Sequence, residues 1–209
     1  RLVATGCLAL RVAMFSDGDV TRVVSLVERA SVAGRTTLLA VDGLMGSGKS
    51  TLTAQVAEAI GDAAVVPGDD FYRPIAEPER PRLGPGESYE KYFEWRRLRD
   101  SVLVPLSSET GSRYRRHDWE SNALAEWRDV APGGVVIVEG VFSTRPELMP
   151  YYGVTVFVDT PREQRLARIG ERGYEDASWV EHWTAAEDWY SANVRPKEHV
   201  GLVLDGSSS

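Results

Sequence analysis

A single cysteine, Cys7, cannot close an internal disulfide, and no Cys/His cluster with zinc-ligand spacing occurs anywhere in the chain. Both absences point to a reducing compartment, and a cytoplasmic location is expected. No apolar run approaches the ~18–20 residues that cross a bilayer, so no membrane association is expected. Basic excess is missing too: 31 acidic residues against 24 basic ones leave a formal charge of −7. That balance opposes approach to a phosphate backbone and argues against a nucleic acid polymer as partner. Internal repeats, low-complexity tracts and inter-domain linkers are absent, and 209 residues with 43% hydrophobic content suit one well-filled core. The first residues, Arg1–Ala13, combine a basic start with apolar residues, but Arg11 interrupts them and no cleavage site follows. They do not read as a secretory signal, and Met14 is the expected natural start.

What the chain does contain is a regular alternation of short apolar runs and helical patterns. Thr37–Asp42, Ala63–Val66, Gly134–Glu139, Val154–Asp159 and Gly201–Asp205 are continuous and mostly rich in valine and leucine, as central parallel strands buried on both faces require. Leu52, Val56 and Ile60 recur at four-residue spacing, with Gly61 where a helix would stop. Thr160-Pro161-Arg162-Glu163 has the form of a capping box with proline at the first helical position, so a helix is expected to start there with Thr160 as its cap. A further helix is expected over Ala177–Asn193, where Trp179, Trp183, Ala186 and Tyr190 share one face as packing, not as a base-stacking platform. The proline- and glycine-dense stretch Arg73–Glu90 is too long for an idle connection and is expected to form a substrate-side excursion.

Gly43-Leu44-Met45-Gly46-Ser47-Gly48-Lys49-Ser50 matches the Walker A pattern completely and lies between the first expected strand and the first expected helix. Glycines let such a loop curl until consecutive N–H groups face phosphate oxygens, and the helix behind it adds its positive end. Gly43, Gly46, Ser47, Gly48, Lys49, Ser50 and Thr51 are therefore the expected ATP-binding residues, with Lys49 reaching the β- and γ-phosphates and the Ser50 hydroxyl on Mg²⁺. The fold class that follows is α/β, the three-layer P-loop NTPase fold, with a five-stranded parallel sheet and a helical lid. Neither an NKxD nor a DxxG motif is present, which argues against a GTPase.

Gly68-Asp69-Asp70-Phe71-Tyr72-Arg73-Pro74 after the second strand resembles the acidic, aromatic loop of the uridine kinase and nicotinamide riboside kinase group of P-loop kinases. The resemblance continues in Val138-Glu139-Gly140-Val141, in the arginine-bearing helix from Arg162 and in Leu204-Asp205-Gly206, and so covers about Thr37 to Gly206. It implies a small-molecule kinase that moves the ATP γ-phosphoryl group to the 5′-hydroxyl of a nucleoside-like acceptor. Asp69 would orient or accept the proton of the attacking hydroxyl, with Asp70 as the competing candidate, and Asp69 would also lie near Mg²⁺. Glu139, at a strand end, would be the Walker-B-like carboxylate toward Mg²⁺. Phe93-Glu94-Trp95 resembles the family segment that binds ribose, with glutamate in place of the family's aspartate. Tyr114-Arg115-Arg116-His117-Asp118-Trp119 resembles the Tyr-Asp-Phe segment, with His117 and Trp119 in place of the two aromatics. Asp70, Tyr72, Glu94, His117 and Trp119 are accordingly the expected acceptor-binding residues. Arg165 and Arg168, in the stripe Arg162, Arg165, Arg168 and Arg172, would belong to a lid over the triphosphate.

Two alternatives stay open at this level. Arg113, Arg115 and Arg116 would suit an acceptor that already carries a phosphate or carboxylate, as in phosphoribulokinases and pantothenate kinases. A non-catalytic nucleotide-binding regulatory protein is the other, although it would not need an acceptor-side carboxylate. The expected organisation is an N-terminal extension with a helix packed on the core (1–36), a P-loop kinase domain (37–206) and a short tail (207–209).

Overall fold

A computed structural model describes residues 15–75, 79, 82–173 and 177–207. Helix α1 (Asp17–Ala30) is capped by Ser16, whose side chain accepts the Asp19 N–H. Strand β1 (Thr37–Gly43) and helix α2 (Lys49–Ile60) follow, then β2 (Ala63–Pro67) and a 3₁₀ turn at Gly68–Phe71. Next come α3 (Pro85–Tyr92), α4 (Trp95–Leu98), a π-helical turn at Arg99–Leu103 and α5 (Val104–Ser107). The hairpin β3 (Ser112–Asp118) and β4 (Ala123–Val130) precedes β5 (Val135–Glu139). The chain then runs through β6 (Val154–Asp159), α6 (Arg162–Glu171), α7 (Ala177–Asn193) and β7 (Leu202–Asp205).

Five strands form one parallel sheet in the order β2-β5-β1-β6-β7. They are the five apolar runs read in the sequence, with ends moved by a residue or so. Because successive side chains on a strand point to opposite faces, each strand feeds two cores. Leu39, Val41, Ile137, Val156 and Val158 meet Val23 and Val27 of α1, Leu52 and Val56 of α2, and Phe15 just ahead of α1. Leu38, Val136, Val138 and Phe157 face the opposite layer, where Phe71, Tyr89, Leu98, Phe142 and Tyr190 are buried. The aromatic stripe of α7 belongs to that second core: Trp183 lies 5.1 Å from Tyr72 and Tyr190 4.9 Å from Phe142, ring centre to ring centre.

The capping box does not form at α6. Pro161 occupies the cap position without a side-chain hydrogen bond, and the Thr160 hydroxyl instead donates to the Ser47 carbonyl at 2.8 Å. A buried carbonyl in the phosphate loop outcompetes the helix end for that hydroxyl. The substrate-side stretch Arg73–Glu90 ends in α3, while its residues 76–78, 80 and 81 lie outside the described residues, as do 1–14 and the tail residues 208 and 209. No described helix is long and apolar enough to cross a membrane.

Candidate active site

The Walker A loop occupies the turn from the C-terminal end of β1 to the start of α2. Gly46 has φ +78°, and a Cβ there would stand 2.6 Å from the Arg165 carbonyl oxygen, so backbone freedom and space both demand glycine. Three consecutive carbonyls of the loop are turned outward and held. Arg165 Nη1 donates to Met45 O at 3.2 Å, Arg168 Nη1 to Gly46 O at 3.2 Å and Ser47 O at 3.3 Å, and Thr160 reinforces Ser47 O. Helix geometry leaves the N–H groups of Lys49, Ser50 and Thr51 without intrahelical acceptors at the end where an anion is favoured. The Ser47 N–H closes the turn on Leu44 O at 3.0 Å.

Glu139, at the end of β5, accepts the Ser50 hydroxyl at 3.2 Å and lies 3.9 Å from Lys49 Nζ. Burial pushes its carboxyl above the usual range; the Lys49 charge pulls it back down, while the Asp69 charge adds to the rise. A hydroxyl beside a carboxylate is an oxygen donor pair of the kind that Mg²⁺ prefers.

Beneath the loop, Asp42 is fully buried and accepts five hydrogen bonds: from the N–H groups of Gly43, Phe142 and Thr144, the Thr144 hydroxyl and the Tyr190 phenol. Burial raises its pKa and the hydrogen bonds oppose the rise. The result ties the end of β1, the segment after β5 and helix α7 to one carboxylate.

Asp69 and Asp70 share the 3₁₀ turn after β2 but face different surroundings. The backbones of Gly68 and Gly140 touch, since a Cβ on Gly140 would come within 2.9 Å of Gly68 Cα; this contact draws the Asp69 turn against the end of β5. Asp69 is exposed, and no hydrogen bond or ion pair holds its side chain among the described residues. Asp70 is buried, accepts the Tyr114 phenol at 3.0 Å and lies 3.8 Å from Arg128 Nε. Asp70 therefore anchors the β3–β4 hairpin to the turn. Tyr72, His117 and Trp119 come together as an aromatic wall, with Trp119 5.0 Å from Tyr72 and 4.9 Å from His117 between ring centres. His117 is buried and Trp119 is 46% exposed, so only the indole offers a broad free face. Glu94 is engaged by Arg97 Nε at 2.8 Å and by Arg73 Nε at 3.7 Å.

The arginine stripe of α6 divides by environment. Arg162 pairs with Asp188 on α7, Arg165 is buried against the loop, and Arg168 bridges the loop to Gly206 O at 2.9 Å. Arg165 and Arg168 thus grip consecutive carbonyls of the phosphate loop. Arg113, Arg115 and Arg116 do not converge on a common point: Arg113 pairs with Asp129, Arg115 donates to the carbonyls of Leu124 and Ala125, and Arg116 pairs with Glu126 and Asp118. They staple the hairpin across its bulge between Arg115 and His117.

Sequence reading missed Asp42, Arg97 and Glu187. Arg97 donates to the carbonyls of Asp70 and Arg115 at 2.8 and 2.6 Å and so fastens the acceptor turn to the hairpin. Nothing in local pattern marks such a long-range bond. Asp42 immediately precedes the motif, and a carboxylate at the end of a buried strand was its signal. Glu187 stands four residues after Trp183 and three before Tyr190, inside the inward aromatic stripe. An acid on the buried face of a helix was the clue.

The AAA domain family model matches residues 39–182. The chain is 30% identical over 175 residues to the uridine kinase of Deinococcus deserti, covering 79% of this chain and 81% of that protein. Its fold is similar to that of a possible uridine kinase from Bacillus stearothermophilus, with TM-score 0.70, 21% identity and coverage of 90% and 98% of the two chains. Phosphoribulokinase from Rhodobacter spheroides shares the fold more distantly, with TM-score 0.57, 16% identity and coverage of 82% and 70%. A complete phosphate loop in its proper strand-to-helix turn and this level of likeness agree: the chain belongs to the uridine kinase-like family of P-loop kinases.

Proposed function

We propose that the protein transfers the γ-phosphoryl group of ATP to the 5′-hydroxyl of a nucleoside. The observation that carries this reading is the pairing of an unengaged carboxylate, Asp69, whose charge is felt by both Glu139 and Tyr72, with an aromatic wall of Tyr72, His117 and Trp119. Asp69 orients the hydroxyl and takes up its proton; Lys49 and the loop N–H groups stabilise charge on the transferring group; the exposed face of Trp119 stacks on the base. Ser50 and Glu139 would hold Mg²⁺, which would neutralise phosphate charge when bound.

Glu94 is the expected acceptor for the ribose hydroxyls, and its contacts with Arg97 and Arg73 fix where the carboxylate stands. An acceptor that brings its own phosphate is disfavoured because Arg113, Arg115 and Arg116 are committed to the hairpin. Release of ADP, followed by a coupled assay over neutral nucleosides, nicotinamide riboside, pantothenate and sugar phosphates, tests the reading. Turnover with a neutral nucleoside is expected. Turnover confined to a phosphorylated or carboxylated acceptor sinks it, and no release with any of them favours a nucleotide-binding protein without catalysis.

A further inference from the structure

Both backbone polar groups of Met45, the third residue of the phosphate loop, are held by a buried ion pair from the two helices that follow β6. Glu187 Oε1 on α7 accepts the Met45 N–H at 2.6 Å and the Trp183 indole N–H at 3.1 Å. Its other oxygen meets Arg165 Nη1 at 3.2 Å, and the same guanidinium donates to Met45 O. Glu187 is fully buried and Arg165 only 3% exposed. An ion pair out of water costs more to desolvate than an ordinary contact returns, so its presence against a loop that works through its backbone calls for a role beyond stability.

The geometry supplies one. A loop that binds anions through N–H groups must keep its carbonyls turned away from the phosphates. Arg165 is the cation that takes the first of the three outward carbonyls, and a cation buried there without an anion would be drawn toward any triphosphate in the loop. Glu187 compensates that charge from behind and at the same time fixes the direction of the Met45 N–H. The neighbouring residues of α7 extend the connection, since Trp183 packs on Tyr72 of the acceptor wall and Tyr190 donates to Asp42 under the loop at 2.8 Å.

We propose that Glu187 is a positioning residue for the ATP-binding loop, acting through Arg165 and the Met45 backbone to hold the loop's carbonyls outward. The inference rests on the phosphate-loop reading and not on the identity of the acceptor. Its test is direct titration of ATP at pH 8, where Glu187 carries its charge, in the absence of acceptor, with thermal unfolding of the nucleotide-free protein measured alongside, on Glu187→Gln and Glu187→Leu. Gln can keep one acceptor oxygen toward Met45 but presents its amide N–H₂ to Arg165, so ATP affinity falls about 10-fold; Leu, with no acceptor, falls further. With any acceptor that supports turnover, KM for ATP rises while KM for the acceptor stays within about twofold of wild type.

ATP affinity equal to wild type in folded Glu187→Gln overturns the proposal. So does a parallel loss of ATP affinity, acceptor affinity and melting temperature, which is the mark of a merely structural residue. If Glu187→Leu does not fold, Glu187→Gln alone decides by the same two criteria. Should no nucleoside be phosphorylated, the acceptor reading falls while the ATP titration still decides the role of Glu187.

Discussion

The two halves of the site are built on opposite plans. On the donor side the working groups are backbone N–H groups, and the side chains around them, Arg165, Arg168, Thr160 and Glu187, point at the loop to shape it. On the proposed acceptor side the groups assigned to the work are side chains, Asp69 and Trp119, that are exposed while the backbone behind them is tied down by Arg97 and Asp70. A backbone site requires glycine at fixed places and leaves a motif. A side-chain site needs only the right group on a rigid turn, and can change its clientele by replacing a single residue.

The sharpest test of this contrast removes the one donor-side side chain expected to touch phosphate. Lys49→Ala should lower kcat by about 10³-fold or more, because its charge stabilises the transferring group. Steady-state turnover at saturating ATP measures it, and near-wild-type turnover would mean the loop does not serve catalysis. On the acceptor side, Asp69→Asn should leave ATP binding intact and reduce kcat about 10²-fold. Asp70→Asn should change kcat far less, since Asp70 faces Tyr114 and Arg128, and its cost should appear as a lower melting temperature. An inactive Asp70 variant beside a normal Asp69 variant reverses the assignment.

The same contrast governs what the amino-acid sequence makes legible. The five sheet strands were legible because a parallel strand buried on both faces has to be a short apolar run, and Val154–Asp159 and Thr37–Asp42 are little else. The hairpin strands were not, because β4 is largely exposed and its residues, Ala123–Val130, alternate without an apolar face. Glycine positions and Lys49 announced the donor loop. Its outer supports could not be announced, since Arg165 and Glu187 reach Met45 across 120 and 142 residues of chain. The family resemblance implied that Arg165 and Arg168 belong to a lid over the triphosphate; it could not tell that both donate to carbonyls of the loop itself, with Arg165 buried against it.

A pH experiment probes the support without touching the chemistry. Burial pushes the Glu187 carboxyl up to about 7, against the opposing pull of the Met45 N–H and of the Arg165 and Lys49 charges. A raised carboxyl pKa means the folded state binds the proton more tightly than the unfolded one. The corresponding stability is present below the ordinary glutamate value of about 4.3 and is lost as pH rises through about 7. Relative to Glu187→Gln, which cannot titrate, the wild type should therefore lose roughly 3 kcal/mol between pH 4.5 and 8. Denaturant unfolding of both proteins across that range measures the difference. A difference independent of pH would show that Arg165 holds Glu187 ionised throughout.

The smallest effect belongs to the acceptor wall, and it asks whether that half of the site recognises a flat ring at all. Trp119 keeps nearly half its surface exposed although its edge packs on Tyr72 and His117, so one indole face is available at little cost in ordering. Stacking of a base on such a face is worth ~1–3 kcal/mol when removed by alanine. An exposed, one-sided contact belongs at the low end, so Trp119→Ala should raise KM for a nucleoside about 5- to 10-fold. The KM for ATP should not move, because among the described residues the ring contacts of Trp119 are with Tyr72 and His117 and not with the phosphate loop. Trp119→Phe retains a smaller ring and should recover most of the loss. If alanine leaves the nucleoside KM unchanged, the wall packs the hairpin and the base is read elsewhere; if it raises the KM for ATP as strongly, the two halves of the site are coupled through α7 and do not act separately.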